Sequence, residues 1–188
     1  MSWHTFKSLS IEQINPTNIE GILSRCGRFL TRLNLVGLLI SENIMNIVAK
    51  ECPNLKVIEL DKSTITLDSL KAIKPIFENV EEFIFEINEV DDENLEELFT
   101  SNKKLKILEM RVHNDTKLRG TFLAALPRET LTRLDLCHTG IEDMSFLCRL
   151  SALKSIRLNE AKVTNDTLIG ISKNCLDLTS LELSGESL

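Results

Sequence analysis

One six-residue pattern recurs along this chain at nearly constant intervals, and no other feature restricts the fold as much. Leu-x-x-Leu-x-Leu, with other apolar residues admitted, occurs at Phe6/Leu9/Ile11, Leu30/Leu33/Leu35, Leu55/Ile58/Leu60 and Val80/Phe83/Phe85. It returns at Leu105/Leu108/Met110, Leu131/Leu134/Leu136, Leu153/Ile156/Leu158 and Leu178/Leu181/Leu183. The starts at 6, 30, 55, 80, 105, 131, 153 and 178 lie 24, 25, 25, 25, 26, 22 and 25 residues apart. A period in this range marks a stacked array. One unit cannot bury its own apolar face, and neighbours close a continuous core.

Each unit carries further signals at fixed offsets. Ten residues after the opening apolar residue stands another, at Ile40, Ile65, Val90, Ile141 and Val163. A helix N-cap type often follows it, as at Ser41, Thr66, Asp91 and Thr164. Apolar residues at helical spacing come next, such as Leu70/Ile73, Leu95/Leu98/Phe99 and Phe146/Leu147/Leu150. Pro53 and Pro127 fall where such helices should stop. Strand, turn, helix and return loop therefore make the unit. The expected fold is α/β: a right-handed leucine-rich-repeat solenoid, or horseshoe, with an all-parallel concave sheet and helices on the convex side. Residues 1–188 are expected to form a single domain of about eight repeats. The first, fourth and sixth residues of each pattern enter the core, and the third, fifth and seventh face the concave side.

Two repeats depart from the pattern. After Met110 the run RVHNDTKLRGTF has Asp115 at the usual apolar turn position, so Leu118 is expected to supply the core contact after a longer turn. The sixth repeat is short, and its outer helix is expected to shrink to a 3₁₀ turn. The final pattern, LTSLELSGESL, stops after its strand; either Leu178, Leu181 and Leu183 pack back on the preceding repeat as a bare terminal strand, or that end is covered by a partner or by further chain.

Cysteine placement carries a resemblance. Cys26, Cys52 and Cys175 stand three or four residues before a pattern-opening leucine, and no CxxC pair occurs. They read as reduced apolar filler of an intracellular protein, cytoplasmic or nuclear, rather than as a disulfide or zinc framework. The segments KECPNLKVIELDKSTITLDSL and ISKNCLDLTSLELSG resemble the cysteine-containing leucine-rich-repeat subtype of F-box/leucine-rich-repeat proteins. That resemblance implies substrate recognition for a ubiquitin ligase. Residues 1–29 do not look like an F-box, so a ligase adaptor is expected as partner only if an F-box exists elsewhere.

Composition removes other classes. A net charge of −6 with eight Phe, one Trp and no Tyr is a poor nucleic-acid surface. No apolar run reaches membrane-helix length, and MSWHTFKSLS lacks a signal-peptide core. No GxGxxG, Walker-type loop, HExxH or GxSxG occurs, so neither enzymatic activity nor a cofactor is expected. His113 and His138, with Asp115 and Cys137 nearby, fall at mismatched repeat offsets and read as surface histidines rather than metal ligands.

Charge is uneven. Residues 75–102 hold ten acids and no Lys or Arg, whereas the remaining chain has 18 acids against 22 bases. Asp92, Glu93, Glu96 and Glu97 are assigned to an outer helix. On the concave side, Val57, Ile84 and Ile107 are expected to form an exposed apolar centre. Glu59, Asp61, Glu82, Glu86, Glu109 and Asp135 rim it, with Arg111 and Arg133 beside them. An apolar centre with a charged rim is the anatomy of a protein interface. The expected function is a non-catalytic protein-binding module, or alternatively a structural subunit or assembly factor inside a larger complex. Its partner is expected to be a protein, basic and bearing an apolar anchor.

Overall fold

The computed structural model describes residues 6–12, 16–112, 118–137, 139–159 and 163–184. Its strands are β1 (Ser8–Glu12), β2 (Arg32–Val36), β3 (Leu39–Ile40), β4 (Val57–Ile65), β5 (Glu82–Ile87), β6 (Ile107–Val112), β7 (Arg133–Cys137), β8 (Ser155–Asn159) and β9 (Ser180–Ser184). Among the described residues they form one parallel sheet in the order β1-β2-β4-β5-β6-β7-β8-β9, with β3 beside β4. Register advances by one repeat per strand: Leu33 pairs with Ile58, Ile58 with Phe83, Phe83 with Leu108, Leu108 with Leu134 and Leu134 with Ile156. A parallel order without crossovers follows from identical right-handed connections repeated along one axis.

The six-residue pattern maps directly onto burial. From Leu30 to Leu158, its first, fourth and sixth residues are all buried. Around the fourth repeat this core is aromatic: Phe77 meets Phe83 edge-on, with ring centroids 5.2 Å apart, and Phe83 stacks on Phe85 at 4.4 Å. At the last strand the pattern holds but the cover ends. Leu181 is 42% exposed, whereas its counterparts in β2 to β8 are fully buried.

The connections carry α1 (Pro16–Cys26), α2 (Glu42–Glu51), α3 (Leu67–Ala72), α4 (Lys74–Phe77), α5 (Asp92–Thr100) and α6 (Asn165–Asn174). Ser41, Thr66, Asp91 and Thr164 are their N-caps as the spacing predicts. Their side chains accept from the N–H groups of Ile44, Ser69, Asn94 and Thr167. Such a bond satisfies one of the four donors that a helix start leaves free.

The two irregular repeats replace the helix by 3₁₀ turns, Thr121–Ala125 and Ser145–Arg149. Leu118 is fully buried, so the longer turn does return an apolar residue to the core. Asp92 supports this turn from the preceding repeat. Its carboxylate accepts from the backbone N–H of Arg119 at 2.7 Å, Gly120 at 2.8 Å and Phe122 at 3.4 Å. Gly120 has φ +95, and a Cβ there would stand 2.1 Å from the Asp143 carbonyl oxygen, so only glycine fits.

β4 is irregular in a different way. Glu59 pairs with Ile84, but Thr64 pairs with Glu86, so five steps along β4 match two along β5. Lys62 takes the left-handed conformation (φ +50) in the resulting bulge. Buried Ser63 pins it, donating to the Leu35 carbonyl at 2.8 Å and accepting from the Leu38 N–H at 2.9 Å.

Candidate functional site

Strand alternation sends every second side chain to the face opposite the core. Register then sets these residues in three rows across the sheet. One row runs Arg32, Val57, Glu82, Ile107, Arg133 and Ser155. The next runs Asn34, Glu59, Ile84, Glu109, Asp135, Arg157 and Glu182. The third includes Glu86, Arg111, Cys137, Asn159 and Ser184. The assigned concave residues thus share one face, except that the side chain of Asp61 lies outside the described residues.

Their charges are largely spent on one another. Arg32 spans to Glu59 and to Glu82 at 3.4 Å, Arg111 bonds Glu86 at 2.8 Å, and Arg133 lies 2.8 Å from Glu109. Arg157 takes Asp135 at 3.0 Å and Glu182 at 2.7 Å. The four arginines are 38–48% exposed, while the acids they cover on β4 to β7 are only 6–29% exposed. The guanidinium groups therefore form the outer layer and the carboxylates lie beneath. Hydrogen bonding to Glu182 and the charge of Asp135 hold the Arg157 guanidinium protonated well beyond its ordinary range. Glu86 acts likewise on Arg111.

Three assignments need correction. Val57 is buried rather than exposed: Arg32, Val57 and Glu82 share one row, so the Arg32–Glu82 pair passes over it. Asp135 is buried under Arg157 and is not part of an open rim. Cys137, the seventh residue of its pattern and so expected to be exposed on the concave side, is also buried and donates to the Asp135 carboxylate at 2.7 Å. Burial and then Asp135 push its pKa up to about 11. The apolar centre therefore contracts to Ile84 and Ile107. These are half-buried diagonal neighbours, since Ile84 pairs with Glu109 and Ile107 with Glu82.

Outside this face the acids divide by role. Asp91 caps α5, Asp92 holds the neighbouring repeat, and Glu97 bonds Lys74. Glu81 lies between Lys56 at 2.8 Å and Lys106 at 2.6 Å, and those two hydrogen bonds hold its carboxyl down to about 2. The sequence did carry a signal for these pairs: opposite charges one repeat apart, as in Lys56/Glu81/Lys106, Glu86/Arg111 and Arg157/Glu182. Cys26 ends α1, Cys52 and Cys175 are C-caps, and all three are buried. His113, Asp115 and His138 lie outside the described residues. Among the described residues no helix is long and apolar enough to cross a membrane.

No known family profile matches the chain, and no curated protein matches it. Internalin C2 from Listeria monocytogenes is similar in structure over 93% of this chain and 78% of its own, at 16% identity and a TM-score of 0.59. Leiomodin-1 actin-binding site 2 aligns over 79% of this chain and 81% of its own, at 14% identity and a TM-score of 0.41. The internalin likeness shows the fold, a leucine-rich-repeat solenoid with an unclosed parallel sheet.

Proposed function

We propose that residues 1–188 act as one non-catalytic protein-interaction domain that engages its partner on the concave face of β4 to β7. The observation that carries this reading is the Ile84/Ile107 pair, left accessible on a face whose other side chains are locked in a charge ladder. Fixed, mutually paired side chains lose little freedom on association, and an apolar pair among them can be desolvated fully. An apolar partner side chain seats on the two isoleucines, and partner polar groups meet the outward guanidinium groups. The cysteines at helix ends support the resemblance to F-box/leucine-rich-repeat recognition domains of intracellular proteins. In that finer form the bound protein is a ligase substrate.

A structural role inside a larger complex has its own support in the exposed Leu176 and Leu181 near the last strand, which a permanent neighbour would cover. Affinity capture tests the main reading with four chains: wild type, Ile84→Ala, Ile107→Ala and the outer-helix variant Glu96→Lys. A shared partner should bind wild type and Glu96→Lys, and either isoleucine change should weaken it by roughly 1–3 kcal/mol. Unchanged affinity in both isoleucine variants would remove the concave face from consideration.

A further inference from the structure

At the turn edge where strands end and helices begin, one cleft stands apart from the concave face. It encloses about 550 Å³ between the second, third and fourth repeats and is lined by Leu39, Thr64, Ile65, Thr66, Leu67, Asn88, Glu89, Val90 and Asp91. Two of these side chains break the pattern of the repeats. Leu39 stands nine residues after its pattern start, where the other repeats carry Asn15, Thr64, Glu89, Asn114, Gly140, Lys162 and Ser187. Leu67 stands twelve residues after its start, where the others carry Asn18, Glu42, Asp92, Lys117, Asp143 and Asn165. Both positions are otherwise free of apolar side chains. The two exceptions fall in adjacent repeats and line the same cleft.

Core packing does not account for Leu39 and accounts for Leu67 only in part, since Leu67 touches the core yet stays half-buried. Leu39 is 71% exposed, because in β3 it is Ile40 that turns inward. Leu67 is half-buried at the first position of α3, where Glu42 and Asp92 begin α2 and α5 with carboxylates that favour a helix start. Buried Ile65 and Val90 complete an apolar floor. The rim is acidic. Glu89 and Asp91 line it and no Lys or Arg does. Glu89 has no ion-pair or hydrogen-bond partner among the described residues, unlike the concave carboxylates.

We infer that this edge cleft is a second docking site, taking a basic segment of a partner protein that inserts one apolar side chain between Leu39 and Leu67. Charge complementarity selects the occupant. An apolar anchor fills a floor that water solvates poorly, and flanking Lys or Arg meets Glu89 and Asp91 on the rim. The inference rests on the reading of the chain as a protein-binding module, but not on the concave face.

The test titrates the full ¹⁵N-labelled chain with acetyl-Arg-Arg-Leu-Arg-Arg-amide, with the same peptide carrying alanine in place of leucine, and with acetyl-Glu-Glu-Leu-Glu-Glu-amide. Saturable shifts at the amides of Leu39, Leu67 and Glu89 are expected with the first peptide. Affinity should fall at least tenfold with the alanine peptide, and the acidic peptide should not bind. Leu39→Ser and Leu67→Asp restore the residue types of the other repeats, so each should weaken the first peptide about tenfold. Exposed Leu39→Ser should leave thermal unfolding unchanged, and Leu67→Asp, which touches the core, is compared below its own unfolding transition. Ile84→Ala should have no effect on it. The inference is overturned by no saturation at millimolar peptide, by equal binding of the acidic peptide, or by shifts confined to the concave rows. That last outcome would leave the concave-face reading intact. Concentration-dependent self-association abolished by Leu39→Ser would also overturn it, by naming a second copy as the occupant.

Discussion

Replacing Asn102 by alanine should cost more stability than any change on either docking surface. Asn102 is fully buried at the end of the fourth repeat, and its side chain makes four hydrogen bonds. Its side-chain N–H groups donate to the carbonyls of Phe77 at 2.6 Å and Val80 at 2.8 Å. Its oxygen accepts from the backbone N–H of Lys104 at 2.7 Å and Leu105 at 2.8 Å. The Phe77 carbonyl keeps a second partner, the Val80 N–H at 3.0 Å, and Lys104 lies near solvent. The buried Leu105 N–H and the Val80 carbonyl then bear the main loss. Two buried polar groups left unsatisfied, plus a small cavity, amount to about 3–5 kcal/mol. For a chain of this length that shifts the midpoint of thermal unfolding by about 6–20 °C.

A second variant separates this bond network from volume alone. Cys175 occupies the matching position of its own repeat, and its thiol donates to the Leu150 carbonyl at 3.4 Å, the equivalent of Asn102 to Phe77. Asn102→Cys keeps only that one bond, whose acceptor already has a second partner, and leaves the Leu105 N–H and the Val80 carbonyl unpaired. It should therefore lose nearly as much as alanine does, on the scale of about 1–3 kcal/mol per unpaired group. Equilibrium urea unfolding followed by circular dichroism measures both, and hydrogen exchange at the Leu105 amide reports the local effect. An alanine variant within about 0.5 kcal/mol of wild type, the range of a neutral surface change, would refute the reasoning. So would a cysteine variant close to wild type, because volume alone would then account for the loss.

Glu81, held between Lys56 and Lys106, has its carboxyl lowered from 4.5 to about 2. Its contribution is complete above the unfolded value and is lost as pH falls from about 4.5 toward 2, so Glu81→Gln should flatten that part of the acid-unfolding curve. An unchanged acid limb would count against the triad. In native alkylation followed by mass spectrometry, half-buried Cys148 should react first. Cys52, pushed up to about 12 by burial, Cys26 and Glu51, and Cys137, at about 11, should react slowly. Early modification of Cys137 would restore the exposed concave thiol that the alternation alone suggests.

The strand starts, the inward residues of each strand, the N-caps Ser41, Thr66, Asp91 and Thr164, and the return of Leu118 to the core were all legible in the residue order. Those features depend on spacing within one repeat, and periodicity encodes spacing directly. Packing across strands, and not the repeat, settled that Arg32 closes over Val57, that Asp135 sinks beneath Arg157 with Cys137 bonded to it, and that Asp92 serves the repeat beyond its own. It also brought Leu39 and Leu67 to one cleft. Each of these outcomes depends on which partner a long side chain selects one or two strands away. Neighbouring strands lie about 4.8 Å apart, within reach of an arginine or glutamate. Alternation along a strand says which face a residue takes, and the side chains on the adjacent rungs set how much water reaches it.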